Sequence, residues 1–564
     1  WLRAPVIADL HQVNPVEFAA PSEETRVYLL YDRDALYVGA RMFDAEPERI
    51  NALILRQGQQ IGSDDRFFVH LDSFANRRSG YLFGVNPNGV RYDGIFENIT
   101  QRSFDWDGIW QAAATIDDEG WSVEIAIPFK TLSFDPSNTT WRMNFLRNIA
   151  RKNESMAWES RNRNTDLSTM GDVRGISQVD QGLGLDVVPS LSVRERKDYI
   201  GTASSSETHP SLDVFYKITP SLNASLTVNT DFSATEVDAR QVNLTRFSLF
   251  FPERRDFFLQ DVDIFQFGRL EQDGRPFFSR TIGLNAFGQE VPIDYGGKVS
   301  GRSGRFDIGT LAIRQEAFGP VDAADLLVAR VAANVLEESS VGVITTYGSP
   351  TSVLDNSLAG VDFQYRNSRL PGSRALEGDV FYQQSDTDGF DGDQDSYGAS
   401  IRFPSSQGMR GILQYKRYGE QFNPALGFLD SAGISDSFAN VGYMLRPSGG
   451  RLESWLAGLD YQRIEYLNGG GLKTEAYFLR PLTLTNRTND TMTLAYSDVT
   501  ERLIAPFQIY PGVIIPVGTY DTDSRGFQGG TGGHRKLAVF TRIVEYPDGK
   551  FYDGGMINRA GRPD

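Results

Sequence analysis

The sequence predicts an all-β protein: an N-terminal β-sandwich, then a large antiparallel transmembrane β-barrel of at least ~16–18 strands with one connection folded into its lumen. Three observations predict it. From Leu185 onward, runs of about ten residues alternate apolar with polar, the period of a sheet with one apolar and one polar face. The connections between those runs alternate short and long, as turns at one end of a transmembrane barrel and loops at the other do. No stretch approaches the ~18–20 uninterrupted apolar residues of a membrane-spanning helix. A barrel does not need one, because its backbone groups pair between strands and only the lipid face of each strand must be apolar.

Residues 1–183 differ from the rest and hold six of the seven tryptophans: Trp1, Trp106, Trp110, Trp121, Trp141 and Trp158. Short strands are predicted at RVYLLYD, ALYVGARMFD, DRFFVHLD, GYLFGVNP, VRYDGIF, GWSVEIAIPF and WRMNFLRNIAR, parted by the turn signals DRDA, NPNG and DDEG. Bulky residues recur on one face of each, which fits two sheets closing on their own core. RNRNTDLSTMGDVRGISQVDQG (161–182) is polar and weakly periodic and reads as a linker.

Residues 184–564 form the barrel. In GVDFQYRN (360–367), Val361, Phe363 and Tyr365 face one way and Asp362, Gln364 and Arg366 the other. ESWLAGLDYQ (453–462) sets Trp455, Ala457, Leu459 and Tyr461 against Leu456, Gly458, Asp460 and Gln462. With the sandwich in the periplasm, inner turns fall near 219–222, 301–305, 336–340, 368–373, 405–408, 447–450 and 485–489, all short. The outer connections include 232–292, 386–395, 419–434 and 501–515, the longest ones. About 17 strands are expected up to residue 546, and since bacterial barrels have even numbers the sequence is expected to stop before closure. The opening on Trp1 in mid-pattern, with no signal peptide, reads as a processed or partial form of an exported protein.

Composition excludes several function classes. There is no cysteine, hence no thiolate zinc site, iron–sulfur cluster or disulfide. The four histidines are scattered, and a net charge of −17 with no basic run argues against nucleic acid. The partners expected instead are outer-membrane lipid and lipopolysaccharide, a glycan ligand, and surface or periplasmic proteins. No GxSxG, HExxH or Walker motif is present. With 73 acidic residues, no carboxylate pair can be singled out for glycoside hydrolysis, so enzymatic activity stays open.

The segment 228–292 breaks the alternation and packs seven phenylalanines between Phe247 and Phe267, around Pro252. An outer connection this aromatic is expected to fold into the lumen or over the mouth. Phe250, Phe251, Glu253, Arg254, Arg255, Phe257 and Phe258 are its candidate plug or gate residues, and a packed loop that stiffens the barrel is the plainer reading. The same segment resembles a bacterial outer-membrane family of unknown function in which an NPDFSQVE-like stretch precedes LFFPEKRPFFLEG. Here the residues are NTDFSATE and LFFPERRDFFLQD, departing at Thr230, Ala234, Thr235, Arg254, Asp256, Gln260 and Asp261. That family's N-terminal domain is similar to family 9 carbohydrate-binding modules, and its run YDRDALYVGARMFD, SDDRFFVHLDSF, GYLFGVNPNGVRYDG, WDGIW and GWSVEIAIPF is matched in order. FNPALGFLD and PFQIYPGVIIPVGTY extend the resemblance to essentially the whole chain. It implies the two-part architecture and a glycan as ligand class, but no activity.

Sugar binding needs aromatic faces for pyranose rings and nearby polar groups for hydroxyls. Trp106 and Trp110, with Asp105, Asp107, Asn86, Asn88 and Arg91, are the candidates, a core role for both tryptophans being the alternative. DTDGFDGDQD (386–395) spaces Asp386, Asp388, Asp391, Asp393 and Asp395 like a calcium loop, although Ser396 stands where the EF-hand has glycine and no bidentate Glu follows. A solvated acidic loop is the alternative. No other cofactor is expected. The functional expectation is an outer-membrane barrel that binds and passes a substrate such as a glycan; a membrane-bound glycan hydrolase and a structural subunit of a surface assembly remain alternatives.

Overall fold

The computed structural model describes residues 1, 4–96, 99, 101–197, 204–230, 246, 249–285, 290–317, 319, 322–372, 374–510, 512–532, 538–546 and 551–558. No described helix is long and apolar enough to cross a membrane.

The N-terminal unit is a sandwich of two sheets. One has five strands in the order Val6–Ile7, Thr25–Tyr31, Ala35–Phe43, Gly120–Pro128 and Gln111–Asp117. The other is built around Thr140–Ile149, flanked by Arg66–Asp72 and Glu154–Ala157, and continues through Tyr81–Val85 and Arg91–Phe96. All seven strands expected from the pattern are present, because each carries one continuous apolar face. In Gly120–Pro128, for example, Trp121, Val123, Ile125 and Ile127 enter the core while Ser122, Glu124 and Ala126 point away from it. Those four meet Phe67, Phe83, Trp141 and Phe145 from the opposite sheet in one buried cluster. The segment 161–182 is not a free linker. It holds a 3-10 turn at Leu167–Thr169 and a strand, Gly171–Arg174, paired with Thr140–Ile149. Its polar composition misleads because Asn162 and Asp166 are spent on the barrel, while Leu167 and Met170 join a buried cluster with Leu82 and Phe96.

From Leu185–Lys197 to Phe551–Asn558 the chain forms a single sheet of 18 strands in sequence order, each antiparallel to the next. The last strand lies beyond residue 546, one more than the expected count to that point. Among the described residues no ladder joins the first strand to the last. The long connection 501–515 contains a small hairpin of its own, Phe507–Tyr510 with Val513–Ile515, which the alternation did not predict.

Polarity across the wall is the reverse of that in a soluble barrel. Val343, Val361, Tyr382 and Tyr397 pair in register across four strands and lie on the exposed outer face. On the inner face, the row Arg330, Ile344, Gly360, Gln383, Ser396 and Tyr418 runs across six strands, and its side chains are buried. Apolar groups outside and hydrogen-bonding groups inside are what a lipid-facing wall around a polar lumen requires.

Candidate functional site

The lumen is the site, and three bodies define it. The first is the sandwich, docked on the short-turn end. Phe134 N donates to Pro220 O at 2.9 Å, Arg78 Nη2 to Ser340 Oγ at 2.8 Å, and Asn162 Nδ2 to Pro404 O at 2.7 Å. Arg163 pairs with Glu453 at 3.4 Å. Arg366, at the base of the strand Asn356–Leu370, is held by Asp166 of the sandwich and by Glu377, each at 2.8 Å. These anchors touch successive short turns around the wall, so the sandwich caps that end.

The second body is the inserted connection. Of the NTDFSATE stretch, positions 231–236 lie outside the described residues. The following Phe-rich part packs against the inner wall: Phe257, Phe258, Ile264, Phe265 and Phe267 share a buried cluster with Leu311, Ile313, Leu326, Val328 and Phe381. Its hinge is one buried ion pair. Arg255 donates to both carboxylate oxygens of Glu253 at 2.9 and 2.8 Å, and its remaining N–H groups reach Ile282 O and Ser279 O. Ser279 Oγ and the backbone N–H groups of Arg254 and Arg255 complete the carboxylate's partners. Such a buried pair persists because none of its nitrogens and oxygens is left without a partner. Phe250 stacks on Phe278 at 4.7 Å, Arg280 lies over Phe251 at 5.5 Å, and Phe258 lies under the Arg255 guanidinium at 4.2 Å. Phe250, Phe251, Glu253, Arg255, Phe257 and Phe258 therefore lie together in this packed segment, called the plug below. Arg254 also lines a cleft.

That cleft, of about 560 Å³, brings the two sets of candidates together: Arg91, Asp105, Trp106 and Asp107 of the sandwich face Arg254, Arg255 and Asp256 of the plug. Trp106 is half-buried, with its ring resting on Tyr81 at 5.3 Å. Tyr92 and Phe104 stack at 4.6 Å on the same wall. Asp93 accepts from Gly108 N at 2.7 Å, and burial pushes its carboxyl up to about 6.

Two sugar candidates leave the set. Trp110 is 2% exposed, packed edge-on to Phe83 at 5.2 Å, so it has no free ring face. Asn86 is fully buried and staples the loop, donating to Ile54 O and Asp64 and accepting from Asn88 N and Val90 N. Asn88 is exposed, but its amide is spent on Ala52 O and Ile54 O. The calcium candidates are not brought together. Asp393 pairs with Arg417 and Asp395 accepts from Tyr382 Oη, while Asp386, Asp388 and Asp391 point into solvent. No trio of carboxylates or imidazoles suited to a metal ion forms among the described residues.

The third body is empty space. Along Ser339–Tyr347 and Arg374–Thr387 the inward side chains are buried by plug and cap, whereas inward positions of Leu452–Tyr466 and Thr491–Leu503 stay largely half-exposed. Among the described residues, only one side of the lumen is filled. On the other side two voids follow one another along Ile434–Leu445. One of about 580 Å³ is lined by Phe438 and Asn440, and the next, of about 760 Å³, by Met444 with Arg446 just beyond, where the wall meets Arg66 and Asn148 of the sandwich. Sequence reasoning missed the residues of the first void, Arg402, Arg410 and Lys416. The inward parity of Arg410, Gln414 and Lys416 was the signal that could have found them.

A family model described as a domain of unknown function (DUF5916) matches residues 183–296. No curated protein matches the chain. Among solved structures, the chain is similar to a carbohydrate binding module family 9 (CBM9) from Caldicellulosiruptor kristjanssonii in complex with cellotriose, at 20% identity and TM-score 0.22, covering 31% of this chain and 86% of that one. It is also similar to the P pilus usher (PapC) translocation pore, at 10% identity and TM-score 0.31, covering 87% and 98%. OccK11 (OpdR) of Pseudomonas aeruginosa matches at 11% identity and TM-score 0.27, covering 89% and 100%. What those proteins bind or translocate is a property of theirs.

Proposed function

We infer that this chain is an outer-membrane channel that binds and passes a polar, sugar-like solute. The sandwich stands at the periplasmic mouth, the long loops face outward and the plug narrows the lumen. The observation that carries this reading is that, among the described residues, the lumen is filled on one side, and two successive voids run along the other side toward the cap. The apolar outer face supports the membrane setting. The cleft at Trp106 supports a sugar, since a half-exposed indole beside Arg91, Asp93 and Asp105 offers a stacking face and hydroxyl partners together.

The test is planar-bilayer recording of the full chain with a panel of neutral and acidic oligosaccharides. Ion conductance with concentration-dependent block by at least one of them is expected. A protein that inserts and never conducts would sink the reading. Hydrolysis has one observation in its favour, the raised Asp93 carboxyl in the same cleft, in the range suited to a general acid. Release of reducing ends by wild type, lost in Asp93→Asn, would replace passage with chemistry.

A further inference from the structure

The void of about 580 Å³ on the open side of the lumen has an unusual charge balance for so acidic a chain. Its lining contains four cations, Arg269, Arg402, Arg410 and Lys416, against two carboxylates, Glu271 and Asp273. The chain as a whole carries −17. Arg269 is already neutralised, by Glu377 and by Asp379 at 3.4 Å. Register sets Arg402 opposite Glu377 and Lys416 opposite Asp436, but Arg402 and Arg410 have no ion pair within 4 Å among the described residues, and Arg402 Nε is buried without an acceptor.

The two guanidinium groups are brought together by strand register. Arg402 pairs with Ile412 and Phe403 with Gly411, which sets Arg402 beside Arg410 on the inward face. Lys416 continues the row six residues along Gly408–Tyr418, with Gln414 between. Glu271 and Asp273 hang from the plug segment and belong to the opposite side of the gap. Unpaired guanidinium groups in a confined lumen attract oxyanions, and their planar fork matches carboxylate and phosphate oxygens.

We propose that this void is the selectivity filter of the channel and that its solute is an acidic sugar, bearing a carboxylate or a phosphate, held by Arg402 and Arg410 and flanked by Lys416. Phe438 supplies the apolar contact for the ring. This rests on the passage reading and narrows it to one charge class.

The experiment is bilayer recording of the full chain under a KCl gradient, followed by addition of cellobiose, digalacturonate or glucose 6-phosphate. Wild type is expected to prefer chloride by about tenfold, the low end of what a focused lumenal charge achieves. Block by digalacturonate or glucose 6-phosphate, whichever is effective naming the carboxylate or phosphate source, with no block by cellobiose, is the supporting result. The double variant Arg402→Gln, Arg410→Gln is expected to fall to about unity in ion preference and lose the block, while Arg402→Lys, Arg410→Lys keeps the ion preference. Conduction by each variant shows that it has folded. Conduction without anion preference, equal block by all three sugars, or an unchanged Gln variant overturns the filter and leaves the channel standing. No conduction at all overturns both.

Discussion

Docking of the sandwich on the barrel turns on Asp166. Its carboxylate receives Arg366 Nη2 at 2.8 Å and caps the turn Leu167–Thr169 through Ser168 N at 2.9 Å. Both side chains of the pair are nearly inaccessible, at 3% for Arg366 and 2% for Asp166. Asp166→Ala removes a cap worth about 1 kcal/mol and a charged hydrogen bond worth about 1.5–3 kcal/mol. Arg366 keeps Glu377 at 2.8 Å, so the penalty stays short of that for an orphaned buried charge. The loss of about 2.5–4 kcal/mol corresponds to a factor of about 10²–10³ in the local opening of this docked segment. Hydrogen exchange of the full chain in detergent reads this directly, as faster exchange of amides in 161–176. Asp166→Asn keeps an acceptor for Ser168 N and should lose about half as much. Unchanged protection of 161–176 in Asp166→Ala would refute the idea that this pair fastens the cap.

Trp106→Ala should weaken oligosaccharide binding with little change in melting temperature, whereas Trp110→Ala should destabilise the sandwich by about 3–5 kcal/mol; the reverse pattern in fluorescence titration and thermal melts would move the cleft elsewhere. Glu253→Ala strands the Arg255 charge inside the plug at a penalty of about 3–5 kcal/mol, and single-channel conductance should rise as the plug loosens. Val361→Arg on the outer face should cost about 2–4 kcal/mol if that face meets lipid, read as loss of heat-resistant migration on gels, and a neutral outcome would place the wall in water. Burial holds the Asp72 carboxyl up to about 6, above an unfolded value of about 3.9. The folded state therefore binds this proton more tightly, and stability from Asp72 rises as pH falls from above 6 toward 4. Buried His70, held well below its usual value by desolvation, opposes this below about pH 6.5. The clean measurement is the difference between wild type and Asp72→Asn, whose melting temperature should gain less on going from pH 7.5 to 5.5.

The alternation at Val361 and Asp362 was legible because one face meets an apolar surround and the other a polar interior, a purely local demand. It fades in Phe306–Gln315 and Ala324–Val335, where Leu311, Ile313, Leu326 and Val328 point inward against the plug's aromatic rings. There the lumen has been made apolar by a segment far along the chain. Trp106 and Trp110 look alike in FDWDGIW, and only the packing of Phe83 decides which ring keeps an open face. Asn86 had the composition of a ligand group, but in an NPNG turn its amide serves the backbone. Arg402 and Arg410 are ordinary residues of neighbouring strands, made neighbours on one void only by register.

The inner wall carries glycines where two plug aromatics approach it. A Cβ added at Gly309 would lie 2.7 Å from the ring of Phe265, and one at Gly360 would lie 2.8 Å from that of Phe267. Wall and plug therefore cannot drift independently. A larger residue at either glycine is tolerated only with a smaller one at its aromatic partner, so substitutions at 309 and 265, and at 360 and 267, should travel in pairs through the history of such chains.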